Sequence, residues 1–207
     1  MPERKDTRMS PKRNLTETEK LRQAMEKELS SGRYIHTLGV AYTASCLAMA
    51  HEEDMENAMI AGLLHDCAKG MHGSEQVAIC EKAHIHMSAV ERSNPSALLH
   101  AKVGAYLAEH KYGVTQPDII NAIRYHTTGR PDMSSLEKIV YIADYIEPGR
   151  KPLADMDMIR RIAYQDLDRT MEKILANTLA YLQTTDGQID DMTAKTYQFY
   201  KLDNVRG

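Results

Sequence analysis

The sequence predicts an all-α fold, a single-domain helical bundle. Three observations point that way. Apolar residues recur at helical spacing in segments separated by short polar breaks. The chain has no Trp and a single Phe, Phe199, which leaves the core to Leu, Ile, Met, Ala, Val and some of the 11 Tyr, a composition that favours helices over sheets. No strand alternation, internal repeat or low-complexity stretch interrupts the pattern.

The elements follow in order. Thr16 and Glu19 form a capping box ahead of Leu21, and a first helix runs from there to Ser30-Ser31-Gly32. A second starts near Tyr34 and reaches about His51, with Leu38, Ala41 and Tyr42 on one face. A third covers roughly 54–68, after which Gly70 and Gly73 break the chain. A short helix follows near 74–84. Asn94-Pro95 opens a helix over 95–111 and Gln116-Pro117 another over about 117–127, since proline suits a first turn. Ser134-Ser135-Leu136-Glu137 is a second capping box, for a helix over 135–146 that Pro148-Gly149 closes. A long helix over about 156–183 carries Ile159, Ile162, Leu167, Met171, Ile174, Leu175 and Leu179 on one stripe. That helix could seal the bundle or form a homodimer face. A final short helix spans 191–201.

Bulk properties narrow the function classes. A length of 207 residues fits one domain, here 14–190, with a basic disordered tail over 1–13 and a C-terminal short helix and tail over 191–207. The net charge of −3 gives no support to a nucleic-acid binder. No apolar run reaches membrane-helix length, and the N-terminus lacks a secretory apolar segment. Cys46, Cys67 and Cys80 are few and lack zinc-site spacing, so a reducing cytoplasmic setting is expected. Cys67 reads as small-residue packing rather than a reactive thiol.

Against this background some polar residues stand out. His65 and Asp66 end the apolar run Ala61-Gly62-Leu63-Leu64, with Lys69 three residues past the Asp. Buried charges are usually paired or bound to metals, and His with Asp is a common ligand combination for divalent transition ions. His36, His100, His126 and Asp144 are likewise flanked by small or apolar residues at helical spacing, as if turned inward. His51, His72, His84, His86 and His110 lie in polar contexts and read as surface residues.

The series His36 … His65-Asp66 … His100 … His126 … Asp144 resembles the HD-domain metal-dependent phosphohydrolases. Three phrases narrow the likeness: Leu64-His65-Asp66-Cys67-Ala68-Lys69, His126-Thr127-Thr128-Gly129-Arg130 and Ala143-Asp144-Tyr145-Ile146-Glu147-Pro148-Gly149-Arg150. They are similar to the YqeK-type branch, whose members hydrolyse diadenosine tetraphosphate symmetrically. The resemblance covers roughly residues 25–185. It implies a di-iron centre in the bundle core and cleavage of diadenosine tetraphosphate to two ADP.

The residues suit that chemistry. Neighbours on a helix project about 100° apart, so His65 and Asp66 serve one ion only at a helix end, or two ions if Asp66 bridges. We expect His36, His65 and Asp144 on a first ion, His100 and His126 on a second, and Asp66 on both. The donor set suits Fe, Mn, Co, Ni or Zn rather than Ca. Two such ions about 3.5–4 Å apart can activate a bridging hydroxide for in-line displacement at phosphorus. Asp66, Lys69 and His100 are the candidate catalytic residues. A polyphosphate also needs cations and neutral donors, for which Arg33, Lys69, Lys102, His126, Thr127, Thr128, Gly129, Arg130 and Arg150 are candidates. Glu147 reads equally as a support for a ligand or as a helix-end residue.

Rival readings make distinct demands. Hydrolases of guanosine tetraphosphate carry a Glu-Asp pair where this chain has Lys69-Gly70. Cyclic-dinucleotide phosphodiesterases carry a Gly-Tyr-Pro signature that is missing here. A nucleotidase remains compatible with the ligands. A non-catalytic nucleotide-sensing module predicts a broken ligand set, and a purely structural bundle leaves Asp144 and His65-Asp66 unexplained.

Overall fold

The computed structural model describes residues 16–151, 153, 155–184 and 190–203. The basic segment over 1–13 lies outside the described residues. The described chain forms α1 (Glu17–Glu28), α2 (Ser31–Ala50), α3 (Met55–Leu64), α4 (Gly73–Lys82), α5 (Ala89–Ser93), α6 (Pro95–His110), α7 (Pro117–Tyr125), α8 (Ser135–Ile146), α9 (Met156–Ala163), α10 (Leu167–Thr184) and α11 (Asp191–Asp203), with no strand among them. None of the helices is long and apolar enough to cross a membrane.

The sequence signals act where expected. Thr16 with Glu19 and Ser134 with Glu137 close reciprocal capping boxes at α1 and α8. Pro95 and Pro117 sit in the first turns of α6 and α7, where the missing N–H costs nothing. A third capping box, Ser88 with Glu91, starts the five-residue α5, which the sequence reading missed because too short an apolar pattern follows it.

α3 lies at the centre, with Ala58, Ile60, Ala61, Leu63 and Leu64 buried, and packs against α1, α2, α7 and α8. Its approach to α2 is close: a Cβ on Gly62 would stand 2.6 Å from the Ala41 Cα. Only a residue without a side chain lets the two backbones meet there. The helix ends at Leu64, short of the expected 68, and tightens into turns in which Cys67 N–H bonds Leu64 O at 3.1 Å and Lys69 N–H bonds Asp66 O at 2.9 Å. His65 and Asp66 therefore project from a helix terminus.

Two expectations are corrected. The long helix over 156–183 is two helices. The N–H groups of Gln165 and Asp166 both turn back to Ile162 O at 2.8 Å, and the Asp166 carboxylate accepts from Arg169 N at 2.9 Å, ending α9 and starting α10. The apolar stripe continues across the break, and no Gly or Pro marks it, so periodicity alone could not find it. α10 turns Thr170, Met171, Ile174 and Leu175 inward and packs on α8, α9 and α11, which seals the bundle. Tyr42, placed on the core face of α2, is 56% exposed. That core face runs through Thr37, Val40, Ala41, Ala44 and Leu47, and residue 42 lies about 100° beyond 41. α11 packs on α10 and buries Tyr200, whose hydroxyl accepts from Met133 N at 3.2 Å.

Candidate metal centre

The inward-turned residues converge at one end of α3. His36 comes from α2, His65 and Asp66 from the turn after α3, His100 from α6, His126 from the C-cap of α7 and Asp144 from α8. Asp66 stands between two sets. Its Oδ2 lies 3.5 Å from His65 Nε2 and 3.9 Å from His36 Nε2, while its Oδ1 lies 3.3 Å from His100 Nε2 and 3.6 Å from His126 Nε2. Asp144 Oδ1 lies 3.0 Å from His36 Nε2 and 3.9 Å from His65 Nε2. Two trios have donor atoms within 4.8 Å of one another: His36, His65 and Asp144, and His65, Asp66 and His126.

The backs of the rings are held. His65 Nδ1 lies 2.7 Å from Gly62 O and His126 Nδ1 lies 2.7 Å from Ile123 O. A carbonyl only accepts, so each Nδ1 carries the proton and each Nε2 turns a lone pair inward. His36 Nδ1 faces the Glu147 carboxylate at 3.0 Å. The Nε2 atom of His65 is buried without a hydrogen-bond partner. A buried polar atom left unpaired costs about 1–3 kcal/mol. The 3.0 Å approach of His36 Nε2 to a carboxylate oxygen requires a cation, proton or metal, between two acceptors. Imidazole and carboxylate donors in this number fit divalent transition ions.

Electrostatics keep the two carboxylates ionised and His100 neutral, whereas His65 is raised: burial would lower it, but Asp66 and Asp144 outweigh that. Burial would raise the Asp66 carboxyl, but the His65 and His126 imidazoles outweigh it and hold it well below the usual range. Asp144 is lowered too, burial being outweighed by His36, His65 and Arg150. Burial, then His126 and Lys69, push His100 well below its ordinary value, which keeps it neutral. Lys69 Nζ lies 3.2 Å from His100 Nδ1, and burial lowers its pKa against the opposing pull of Asp66. Cys67 is not a nucleophile in waiting. Burial, then Asp66, push its thiol up to about 12, and its Sγ faces Gly104 O at 3.7 Å.

A cleft of about 890 Å³ opens onto the centre, lined among others by Arg33, His36, His126, Thr127, Asp144 and Arg150. Arg33 reaches Asp66 Oδ2 at 2.6 Å, and Arg150 bonds the Asp144 carboxylate and, through Nε, its carbonyl at 2.7 Å. The other basic candidates sit elsewhere. Lys102 pairs with Glu91 at 2.7 Å and donates to His86 O at 2.9 Å, beside a separate cavity of about 630 Å³. Two residues past His100 is about 200° around the helix, so Lys102 leaves the site. Arg130 pairs with the buried Glu137 at 3.0 Å. The Thr128 hydroxyl donates to Gly129 O at 3.0 Å, and Gly129 turns the chain at φ +63° where a Cβ would meet Thr196 at 2.7 Å. Glu147, left open by the sequence, is buried behind His36. Its place three residues past Asp144 was the available signal, since i and i+3 share a helix face.

The geometry has the makings of a metal-dependent phosphohydrolase, and comparison with known proteins agrees. The HD domain family model matches residues 33–149, a span holding every candidate ligand, and the chain belongs to that family. It is 40% identical over 177 residues to a Bacillus subtilis symmetrical bis(5'-nucleosyl)-tetraphosphatase, covering 84% of this chain and 92% of that one. A Staphylococcus aureus protein of the same description is 35% identical over 190 residues, covering 91% and 96%. The crystal structure of a predicted HD superfamily hydrolase from Clostridium acetobutylicum superposes with a TM-score of 0.86 at 38% identity, covering 92% of this chain and all of that one.

Proposed function

We propose that the chain hydrolyses dinucleoside tetraphosphates symmetrically, converting diadenosine tetraphosphate and water to two ADP. The observation that carries this is Asp66 presenting one oxygen to each of two imidazole sets beside two cleft arginines. The similarity to symmetrical tetraphosphatases over nearly their whole lengths supports it. The water oxygen joins one inner phosphorus, and the oxygen bridging the two inner phosphorus atoms leaves with the second ADP.

His36, His65 and Asp144 would hold one divalent transition ion, His100 and His126 a second, and Asp66 both. The ions are iron in this reading, with Mn, Co, Ni and Zn chemically able to replace it; bound, they supply Lewis acidity and a water activated at neutral pH. Asp66 and Asp144 stay ionised to do so. Arg33 and Arg150 line the cleft at the two carboxylates and suit bidentate binding of the phosphate oxygens. Thr127 and His126 face the same cleft and can orient the chain of phosphates. Lys69, its ammonium loosened by burial, holds a proton at Nζ beside His100 for the departing phosphate oxygen. The nucleotide is the one partner this reading requires; it needs no nucleic acid, membrane or second subunit. The reduced Cys46, Cys67 and Cys80 accord with a cytoplasmic setting.

The test is anaerobic metal loading, then chromatography of the products. ADP alone from diadenosine tetraphosphate is expected, and Asp66→Ala should abolish it. ATP plus AMP would overturn symmetrical cleavage. Orthophosphate from nucleoside monophosphates, with diadenosine tetraphosphate untouched, would mark a nucleotidase instead.

A further inference from the structure

We infer that Glu147 is a positioning residue that fastens the ligand His36 to the turn carrying Arg150, so that one buried carboxylate sets both metal affinity and phosphate binding. The inference rests on reading His36 as a metal ligand and Arg150 as a phosphate contact.

Glu147 follows the last turn of α8 and is 3% exposed. Its two oxygens do different things. Oε1 faces His36 Nδ1 at 3.0 Å, and Oε2 accepts from Gly149 N at 2.5 Å, one residue before Arg150. No lysine or arginine side chain pairs with it among the described residues: Arg160 bonds the carbonyls of Ile146 and Glu147, at 2.9 and 3.2 Å, rather than the carboxylate. A buried carboxylate whose one ion-pair partner is an imidazole is there for that imidazole.

The chain is shaped to admit it. Gly39, three residues past His36 on α2, would put a Cβ 2.5 Å from Glu147 Oε2, and Gly149 would put one 3.0 Å from the same atom. A glycine inside a helix weakens it, so Gly39 is a concession to the carboxylate. His36 is also set apart from its companions. His65 and His126 are oriented by backbone carbonyls of their own segments, whereas His36 is oriented by a charged group 111 residues away in the chain. The carboxylate accepts the Nδ1 proton, which turns Nε2 toward Asp144, where a cation between the two would be held, and makes the imidazole a stronger donor. The same group holds the 147–150 turn, in which Arg150 N bonds Glu147 O at 3.1 Å and the Arg150 guanidinium reaches Asp144. Loosening Glu147 therefore frees a ligand and a phosphate contact together.

The experiment titrates the metal-free protein with Co²⁺, followed by its absorption spectrum, and reads the hydrogen-bonded Nδ1–H of His36 by ¹⁵N NMR before metal is added. Glu147→Ala should weaken Co²⁺ binding by about 10–100-fold, lose that hydrogen-bonded Nδ1–H signal and raise KM. Glu147→Gln, whose Oε1 can still accept from Nδ1, should keep the signal and lose less affinity. Gly39→Ala retains Glu147 but displaces it, and should weaken Co²⁺ binding in the same direction. Should Glu147→Ala not fold, the Gln and Gly39 variants carry the test. Unchanged Co²⁺ affinity in the folded Glu147 variants, with His36→Ala clearly weakened, would overturn the inference and leave the metal reading standing. Wild-type affinity in His36→Ala would instead overturn the ligand reading beneath it. Arg150→Ala should raise KM with little change in Co²⁺ affinity.

Discussion

Asp66 illustrates how much a single side chain can be asked to do. Its position in a turn just past α3, rather than within the helix, lets its two oxygens face opposite sets of imidazoles. Lys69 leaves α3's end by the same turn and comes to rest on His100. If it delivers a proton to the leaving phosphate, Lys69→Met should lower kcat by about 10²–10⁴-fold with KM little changed. A rise in KM at constant kcat would make it a binding group instead. The convergence of the candidate ligands was legible in the sequence because each is a polar residue, or the adjacent His65-Asp66 pair, set among small or apolar neighbours at helical spacing. Lys102 shows the limit of that reasoning: nearness in sequence to His100 says nothing once the helix has turned it to Glu91. Glu147 carried only a partial signal, its spacing three residues past Asp144, because its contact with His36, 111 residues upstream, is made by the fold.

At the scale of elements, capping boxes and first-turn prolines gave the starts of α1, α6, α7 and α8, because those signals are local and chemical. Ends and breaks were harder. The turn between α9 and α10 is held by Ile162 O and the Asp166 side chain, and an uninterrupted apolar stripe conceals it. The packing of α2 on α3 depends on Gly62, whose added Cβ would fall 2.6 Å from the Ala41 Cα. The two atoms it would meet first, Ala41 Cα and Ala41 N at 3.0 Å, belong to the backbone and cannot swing aside. Gly62→Ala should therefore cost about 1–3 kcal/mol despite alanine's better helix propensity. A urea midpoint equal to or above that of the unaltered protein would show that the helices can part freely. Because α2 carries His36 and α3 leads into His65, the variant should also bind metal less tightly.

Across the whole molecule, the first helix is tied to the far end of α6 through Glu28, which accepts from Lys111 Nζ at 2.6 Å and from the Tyr112 hydroxyl at 2.7 Å. Burial would raise the Glu28 carboxyl, but those two bonds outweigh it and hold it below its ordinary value. The folded group therefore titrates below the unfolded one. Its stabilisation is complete above the unfolded value, and fades as pH falls through the folded value. Thermal melts of the protein and of Glu28→Gln should differ at about pH 7, and the gap should narrow as pH falls below the ordinary carboxylate range. A gap that stays constant over that range would remove Glu28 from the account.

The rings of His65 and His126 are clamped by main-chain carbonyls three residues behind them, Gly62 and Ile123, and those clamps are made within the chain. Clamps of this kind predict a socket built ahead of its contents. Chelation should strip it without collapsing it: the far-ultraviolet circular dichroism should persist, the melting temperature should fall because the binding free energy is withdrawn, and turnover should return when metal is restored. A stripped protein that unfolds outright would mean that the ions assemble the bundle instead of visiting it.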